Sequence, residues 1–279
     1  MKKIAFCFLI YDKINHEILW QLFFKNINPN VYNIYIHYKQ NIPSIYFDKY
    51  KLKSCIATKY ADISIVKAQN VLLNEALKDA DNQHFVFLSN SCIPLKSFRQ
   101  IYTNLDVNYS YFTILESQKG VFPRCDCVLN HISKEFIQKA SQWCILNKKH
   151  AELLTKNTLY LKWFNNIYAP DEHCYISYIF YSNLQHEIIV PDSHRLPTTF
   201  TNWNENSSDK DFINGLKNYK SISANELIYL LESSHLFGRK FSKECVKTLL
   251  NYIYLKSITT NTITTNTITT NTITTNTTP

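Results

Sequence analysis

The stretch Phe85–Leu95, read as FVFLSNSCIPL, constrains the fold more than any other part of the chain. Its four leading apolar residues, Phe85, Val86, Phe87 and Leu88, leave no face for water. The strand they form must be covered on both sides. The pattern then switches to Ser89, Asn90 and Ser91, with Pro94 close behind. In open α/β sheets ligands lie just past the C-terminal ends of such strands. Ser89–Cys92, with Ser89 and Asn90 foremost, is therefore where a substrate is expected. The competing reading is a buried strand that ends in an ordinary turn.

The rest of the chain alternates in the same style. Lys3–Ile10 and Val31–His37 read as strands, Ser54–Thr58 as a further short one, and Tyr111–Leu115 and Glu187–Val190 as later ones. Between them lie amphipathic stretches. His16–Phe24 follows a capping Asn15 and carries Ile18, Leu19, Leu22 and Phe23 on one face. Ile63–Asp79 is a long helix, and Ser97 caps a short one to Leu105. Gln142–Asn147 reads as a strand leading into a helix over Lys148–Thr158, and Pro170 opens a helix running to Tyr181. Ala224–Ser233 and Ser242–Leu255 are the last helices. The alternation predicts an α/β layered fold with a mostly parallel sheet. One domain is expected over residues 1–256. Residues 257–279, built on the repeat ITTNT, lack charge and aromatic side chains and read as a disordered tail.

Composition removes several function classes. Only three glycines are present, Gly120, Gly215 and Gly238, so neither a P-loop nor a dinucleotide fingerprint can be written. The net charge of +8 is dispersed, with no basic run, which argues against nucleic acid as the partner and suits a cleft for an anionic small molecule. Eight cysteines show no paired CxxC spacing, and most are expected as reduced thiols. No signal peptide or membrane span is evident, so a soluble or cytoplasmic protein is expected. Asp209-Lys210-Asp211 has D-x-D form but lies in a polar run far from the central strand.

Two places carry chemistry. Pro170-Asp171-Glu172-His173 sets two carboxylates and an imidazole on one turn. Either acid can serve as a general base toward a hydroxyl, or both can simply favour a helix N-terminus, with Asp171 as its cap. His235–Phe241 puts Arg239 and Lys240 beside a glycine turn. Neighbours in an extended segment point to opposite sides, so only one of them can face a given ligand. A cation aimed at a diphosphate would stabilise it as a leaving group without a metal.

Several collinear segments, spanning about residues 3–245, resemble one family. KIAFCFLIYDKINHEILWQLFF followed by IYIH, FVFLSNSCIPLKSF, ASQWCILNKKHA, YAPDEHCY, TFTNW and HLFGRKFS are similar to segments of the core-2/I-branching β-1,6-N-acetylglucosaminyltransferases, glycosyltransferase family 14, and closest to its plant-type branch. The resemblance implies a GT-A-type domain that transfers a sugar with inversion. The donor would be a UDP-sugar carrying N-acetylglucosamine first, with xylose or another sugar as alternatives. The acceptor would be a hydroxyl of a glycan or glycoprotein. It also implies no divalent metal and no other cofactor. By the motif match Glu172 is the base and Lys240 the diphosphate contact, with Lys217 or Lys220 as a second basic contact. Asp171 and Trp143 fall in matched segments as substrate contacts. Ile36 and His37 fall where the family's first uridine-contacting loop lies, and Tyr60–Val66 on another donor-side segment. Should Glu172 fail as the base, Asp126, Glu116 and Glu135 are the acids next in line.

Overall fold

A computed structural model describes residues 2–114, 124–190 and 198–250. The ITTNT repeat and Glu116 lie outside the described residues. In chain order the strands are β1 (Lys3–Ile10), β2 (Tyr32–Tyr38), β3 (Asn82–Ser89), β4 (Ile93–Pro94), β5 (Ser110–Tyr111), β6 (Ile145–Asn147) and β7 (Ile188–Ile189). They continue with β8 (Thr199–Thr201), β9 (Phe212–Ile213), β10 (Leu216–Lys217) and β11 (Phe237–Arg239). The helices are α1 (Glu17–Phe24), α2 (Ile63–Ala76), α3 (Phe98–Asn104), α4 (Lys148–Lys156), α5 (Tyr160–Trp163), α6 (Cys174–Tyr181) and α7 (Ala224–Glu232).

The main sheet has six strands in the order β2-β1-β3-β6-β5-β7. β1 pairs in parallel with both β2 and β3, and β5 with β7, while β6 runs antiparallel to β3 and to β5. The sheet is thus mostly parallel, as expected, with one reversed strand. The apolar run of β3 divides between two cores by simple alternation. Phe85 and Phe87 pack with Ala5 and Cys7 of β1 on the side of α2 and α6. Val86 and Leu88 pack with Phe6 and Phe8 on the side of α1 and α3. A period of two with both faces apolar is what a strand covered twice requires. Truncating Phe85 or Phe87 to alanine would cost about 3–5 kcal/mol.

Local signals placed several boundaries. Asp62 caps α2, Asn147 caps α4 and Ser223 caps α7, each accepting a backbone N–H of the first turn. Ser97 and Gln100 form a reciprocal capping box on α3.

Other expectations give way to tertiary partners. Asn15 does not cap α1: its side-chain amide donates to the Phe241 carbonyl, 2.9 Å away, and its oxygen accepts from Asn90. The buried stripe of α1 is Leu19, Trp20 and Phe24, and Ile18 and Leu22 face solvent, because the Trp20 ring turns inward against Phe8. No strand forms at 54–58. The helix expected from Pro170 is broken: a single 3₁₀ turn, Pro170–Glu172, precedes α6. The Glu172 carbonyl accepts the Ala140 N–H, 2.8 Å away, instead of continuing the helical ladder.

A second, three-stranded sheet, β4-β11-β8, stands beyond the end of β3. It brings Arg239 and Lys240 from late in the chain to the strand end marked by Ser89. A third core, with Leu95, Tyr219, Leu227, Leu230 and Phe241, supports it from behind.

Candidate functional site

The backbone brings four segments together past the end of β3. β6 runs against β3, and the Phe87 N–H donates to the Cys144 carbonyl at 3.0 Å. Trp143 therefore stands level with the last residues of β3. The chain just before it is tied by Ala140 to Glu172. The Pro170–Glu172 turn is in turn held to the start of α2, where the Ala169 N–H donates to the Ala61 carbonyl at 3.1 Å. Ala61 and Ala169 both have φ of +53°. A side-chain-bearing residue pays about 1–2 kcal/mol for that left-handed conformation. Two such residues bonded to each other mark a turn held by its surroundings.

Glu172 is partly exposed. Its Oε2 lies 3.2 Å from Arg124 Nη1 and 3.5 Å from Lys139 Nζ. The Arg124 guanidinium also sits over the ring of Tyr168, 5.2 Å from its centre, and Tyr168 meets Tyr60 edge to face. Asp171 behaves differently. Its Oδ1 is closed off from solvent and has no hydrogen-bond partner. Burial, then the neighbouring Glu172 charge, pushes its carboxyl up to about 7. It caps no helix, so the capping role expected of it is corrected. His173 is buried, bonds the Gln138 carbonyl through Nδ1 at 2.8 Å, and is held down to about 4 by burial.

Arg239 and Lys240 diverge. The Arg239 guanidinium stacks on the ring of Trp143, 4.7 Å from its centre, and feels the charge of Asp171. Lys240 instead lines a cavity of about 320 Å³ with Asn15, Asn90, Ser91, Asn218, Ser242, Lys243 and Glu244. Its ammonium pairs with no carboxylate among the described residues. Burial, then the adjacent Arg239, lowers its pKa.

The structure thus joins Asn90 to Lys240, and Trp143 to Asp171 through Arg239. Other expected contacts stand apart. The Ser89 hydroxyl is buried, 3.1 Å from both the Ser91 hydroxyl and the Cys92 thiol. Lys217 lies 3.4 Å from Glu226 and over the Tyr219 ring, and Lys220 lies 3.5 Å from Asp211. Ile36 and His37 turn their side chains into the fold: Ile36 is a core residue, and His37 Nε2 accepts the Ile56 N–H at 3.1 Å. Beside them a cavity of about 420 Å³ is lined by Tyr38, Lys39, Lys53, Ser54, Cys55 and Ile56. A ligand there would meet these neighbours and not the Ile36 or His37 side chains. Asp126 and Glu135 are exposed. Asp209 accepts the Asp211 N–H at 3.0 Å. Larger depressions, about 490 and 670 Å³, border β2 near Tyr32 and Tyr35 and hold neither acid of the 170–172 turn.

Arg124 and Lys139 carried no local sequence signal and reach Glu172 only through the fold, whereas Tyr168, under the Arg124 guanidinium, opens the YAPDEHCY segment itself.

Glycosyltransferase BC10 of Oryza sativa subsp. japonica is 28% identical over 165 residues, covering 56% of this chain and 41% of that protein. The chain therefore spans less than half the length of that relative. Among solved structures, the galactosyltransferase LgtC with donor and acceptor sugar analogs overlays at a TM-score of 0.43 and 7% identity, over 70% of this chain and 75% of that one. A glycosyltransferase involved in glycosylation of the major capsid of PBCV-1 overlays at 0.43 and 11%, over 85% and 92%. The model of the core-2/I-branching enzymes matches residues 4–227, which takes in β1, β3, Trp143, Glu172 and Lys217, and the chain belongs to that family.

Proposed function

We propose that the chain is an inverting glycosyltransferase on a GT-A-type domain. It moves a sugar, N-acetylglucosamine first among candidates, from a UDP-sugar to a hydroxyl of a glycan or glycoprotein, without a divalent metal. Beyond family membership, one observation carries the reading. The Glu172 carboxylate, at 30% exposure, adjoins the buried Asp171 carboxyl, which in turn feels the charge of Arg239 from β11.

An acceptor hydroxyl is a weak nucleophile at neutral pH. Glu172 takes its proton as the oxygen attacks the anomeric carbon from the side opposite UDP. The bond to the diphosphate breaks, and Lys240, half-buried and without a carboxylate partner among the described residues, meets the charge that develops there. Tyr38 and Lys39, at the C-terminal end of β2, line the cavity that would border the nucleoside.

Single UDP-sugars supplied with an oligosaccharide acceptor, with UDP release followed in the presence and absence of EDTA, test this. One donor should be turned over at the same rate in both. Activity lost in EDTA and restored by Mn²⁺ would overturn metal independence and return attention to Asp209 and Asp211. A second reading, a sugar- or nucleotide-binding protein without turnover, is favoured by the two ion pairs that already occupy the Glu172 carboxylate. UDP-sugar binding with no release under any acceptor would select it.

A further inference from the structure

Nine buried side-chain nitrogen or oxygen atoms among the described residues have no hydrogen-bond partner. Five are second ring nitrogens of histidines 16, 37, 84, 150 and 173, each bonded through its other nitrogen and scattered through the fold. A sixth, Glu187 Oε2, lies 3.3 Å from His150 Nε2. The remaining three are Trp143 Nε1, Asp171 Oδ1 and Arg239 Nε. These three belong to one cluster: Arg239 stacks on Trp143, and the turn that carries Asp171 is tied to the chain just before Trp143 by the Ala140 N–H, which donates to the Glu172 carbonyl at 2.8 Å. Buried polar groups are normally satisfied, so three unsatisfied ones in one place call for a ligand that satisfies them together.

The chemistry of that ligand follows from the groups. Two are N–H donors and one is a carboxyl oxygen. A phosphate would suit the donors but would meet Asp171 and Glu172. An apolar group would satisfy none of them. A sugar hydroxyl both donates and accepts, and neighbouring hydroxyls on one ring supply several such groups at fixed spacing. The Trp143 face is already covered by the guanidinium, so its N–H edge is what it can offer. The cluster adjoins Glu172, and a base acting at an anomeric centre must stand beside the ring being transferred.

We propose that Trp143 Nε1, Asp171 Oδ1 and Arg239 Nε bind hydroxyl groups of the transferred sugar and set which sugar is accepted. This rests on the reading of Glu172 as the base of a glycosyl transfer. Trp143→Phe keeps the ring under Arg239 and removes only the N–H. Asp171→Asn keeps the shape and changes the acceptor. Calorimetry with UDP and with the UDP-sugar identified by the donor screen measures what the sugar adds to binding. Turnover with deoxy analogues of that donor shows which hydroxyl is read.

UDP affinity should stay within about twofold in both variants. The gain from the sugar should fall about 3- to 10-fold in Trp143→Phe and about 10- to 100-fold in Asp171→Asn. The deoxy donor that wild type handles poorly should be handled by Trp143→Phe no worse than the full donor. Variants that keep the full sugar contribution and the wild-type deoxy pattern overturn the assignment while leaving glycosyl transfer intact. Absence of any UDP-sugar binding to wild type overturns both.

Discussion

Replacing Glu172 by glutamine separates chemistry from structure at one position. The substitution keeps the side-chain shape and removes the charge. Its structural consequence is bounded by what Glu172 holds: Arg124 at 3.2 Å and Lys139 at 3.5 Å, all three side chains 26–30% exposed. Ion pairs with that much access to solvent contribute about 0–1 kcal/mol each. The loss should lower Tm by only a few degrees, about 2–4 °C per kcal/mol for a domain of this size. A general base contributes about 10²- to 10⁴-fold to the rate, which is about 3–5 kcal/mol of barrier. The kinetic effect therefore exceeds the structural one by a margin that a single experiment resolves. Transfer at 25 °C should fall by two to four orders of magnitude, with UDP-sugar affinity within a few-fold of wild type and a cooperative melt retained. Transfer within tenfold of wild type would refute the assignment of Glu172. A variant that no longer melts cooperatively would refute the estimate of its structural share.

Other perturbations test different parts of the account. Lys240→Ala should weaken UDP binding by about 10- to 100-fold while thermal stability holds; unchanged UDP affinity would remove Lys240 from the diphosphate. The Asn70 side chain accepts from Tyr175 at 2.6 Å and exchanges hydrogen bonds with Tyr160, tying α2 to α5 and α6. Asn70→Leu should destabilise by about 1–3 kcal/mol in urea titrations, because the Tyr175 hydroxyl is left buried and unpaired, and adding Tyr175→Phe should recover part of the loss; no recovery in the double variant would show that the cost lies in packing. Burial holds His16, His84, His150 and His173 near 4, against 6.5 in the unfolded chain. The unfolded state takes up protons first as pH falls, so their stabilisation is complete above about 6.5 and is lost on descent toward 4, by up to about 1.4 kcal/mol per pH unit for each histidine. Asp171, raised to about 7, works in the opposite direction as a single group. The urea midpoint should therefore be lower at pH 5 than at pH 7, and an equal or higher midpoint at pH 5 would contradict the buried neutral histidines.

Much of the scaffold was legible because it is written locally. β3 announces itself as a short apolar run, and its two-core packing follows from alternation alone. The caps at Ser97 and Ser223 act within one turn and could be read from spacing. Asn15 looked equally like a cap, yet its partners are Asn90 and Phe241, which no local pattern could reveal. The break in the Pro170 helix has no local pattern for the same reason, since Ala140 captures the Glu172 carbonyl from another part of the chain. At the site, the motif segments pointed to Glu172, Asp171, Trp143 and Lys240. The grouping of Trp143 with Asp171 through Arg239 was not legible, because it depends on β6 running backwards beside β3. Lys217 and Lys220 could not be separated on paper, and each is paired with its own acid in the fold.

The late arrival of β11 has a consequence for how the protein is made. The three strands β2, β1 and β3 lie within the first 89 residues and can pair as soon as those residues leave the ribosome. The contact that seats the Lys240 loop, Asn15 to the Phe241 carbonyl, joins positions 226 residues apart. Until the chain has been synthesised past that point, β4 is a bare edge and Ser91 lacks the Phe241 N–H that its carbonyl accepts. A nascent chain halted before Phe237 would hold most of its sheet, with neither Arg239 nor Lys240 in place. Ligand capture on translating ribosomes should therefore begin abruptly, only after that last strand has emerged from the exit tunnel.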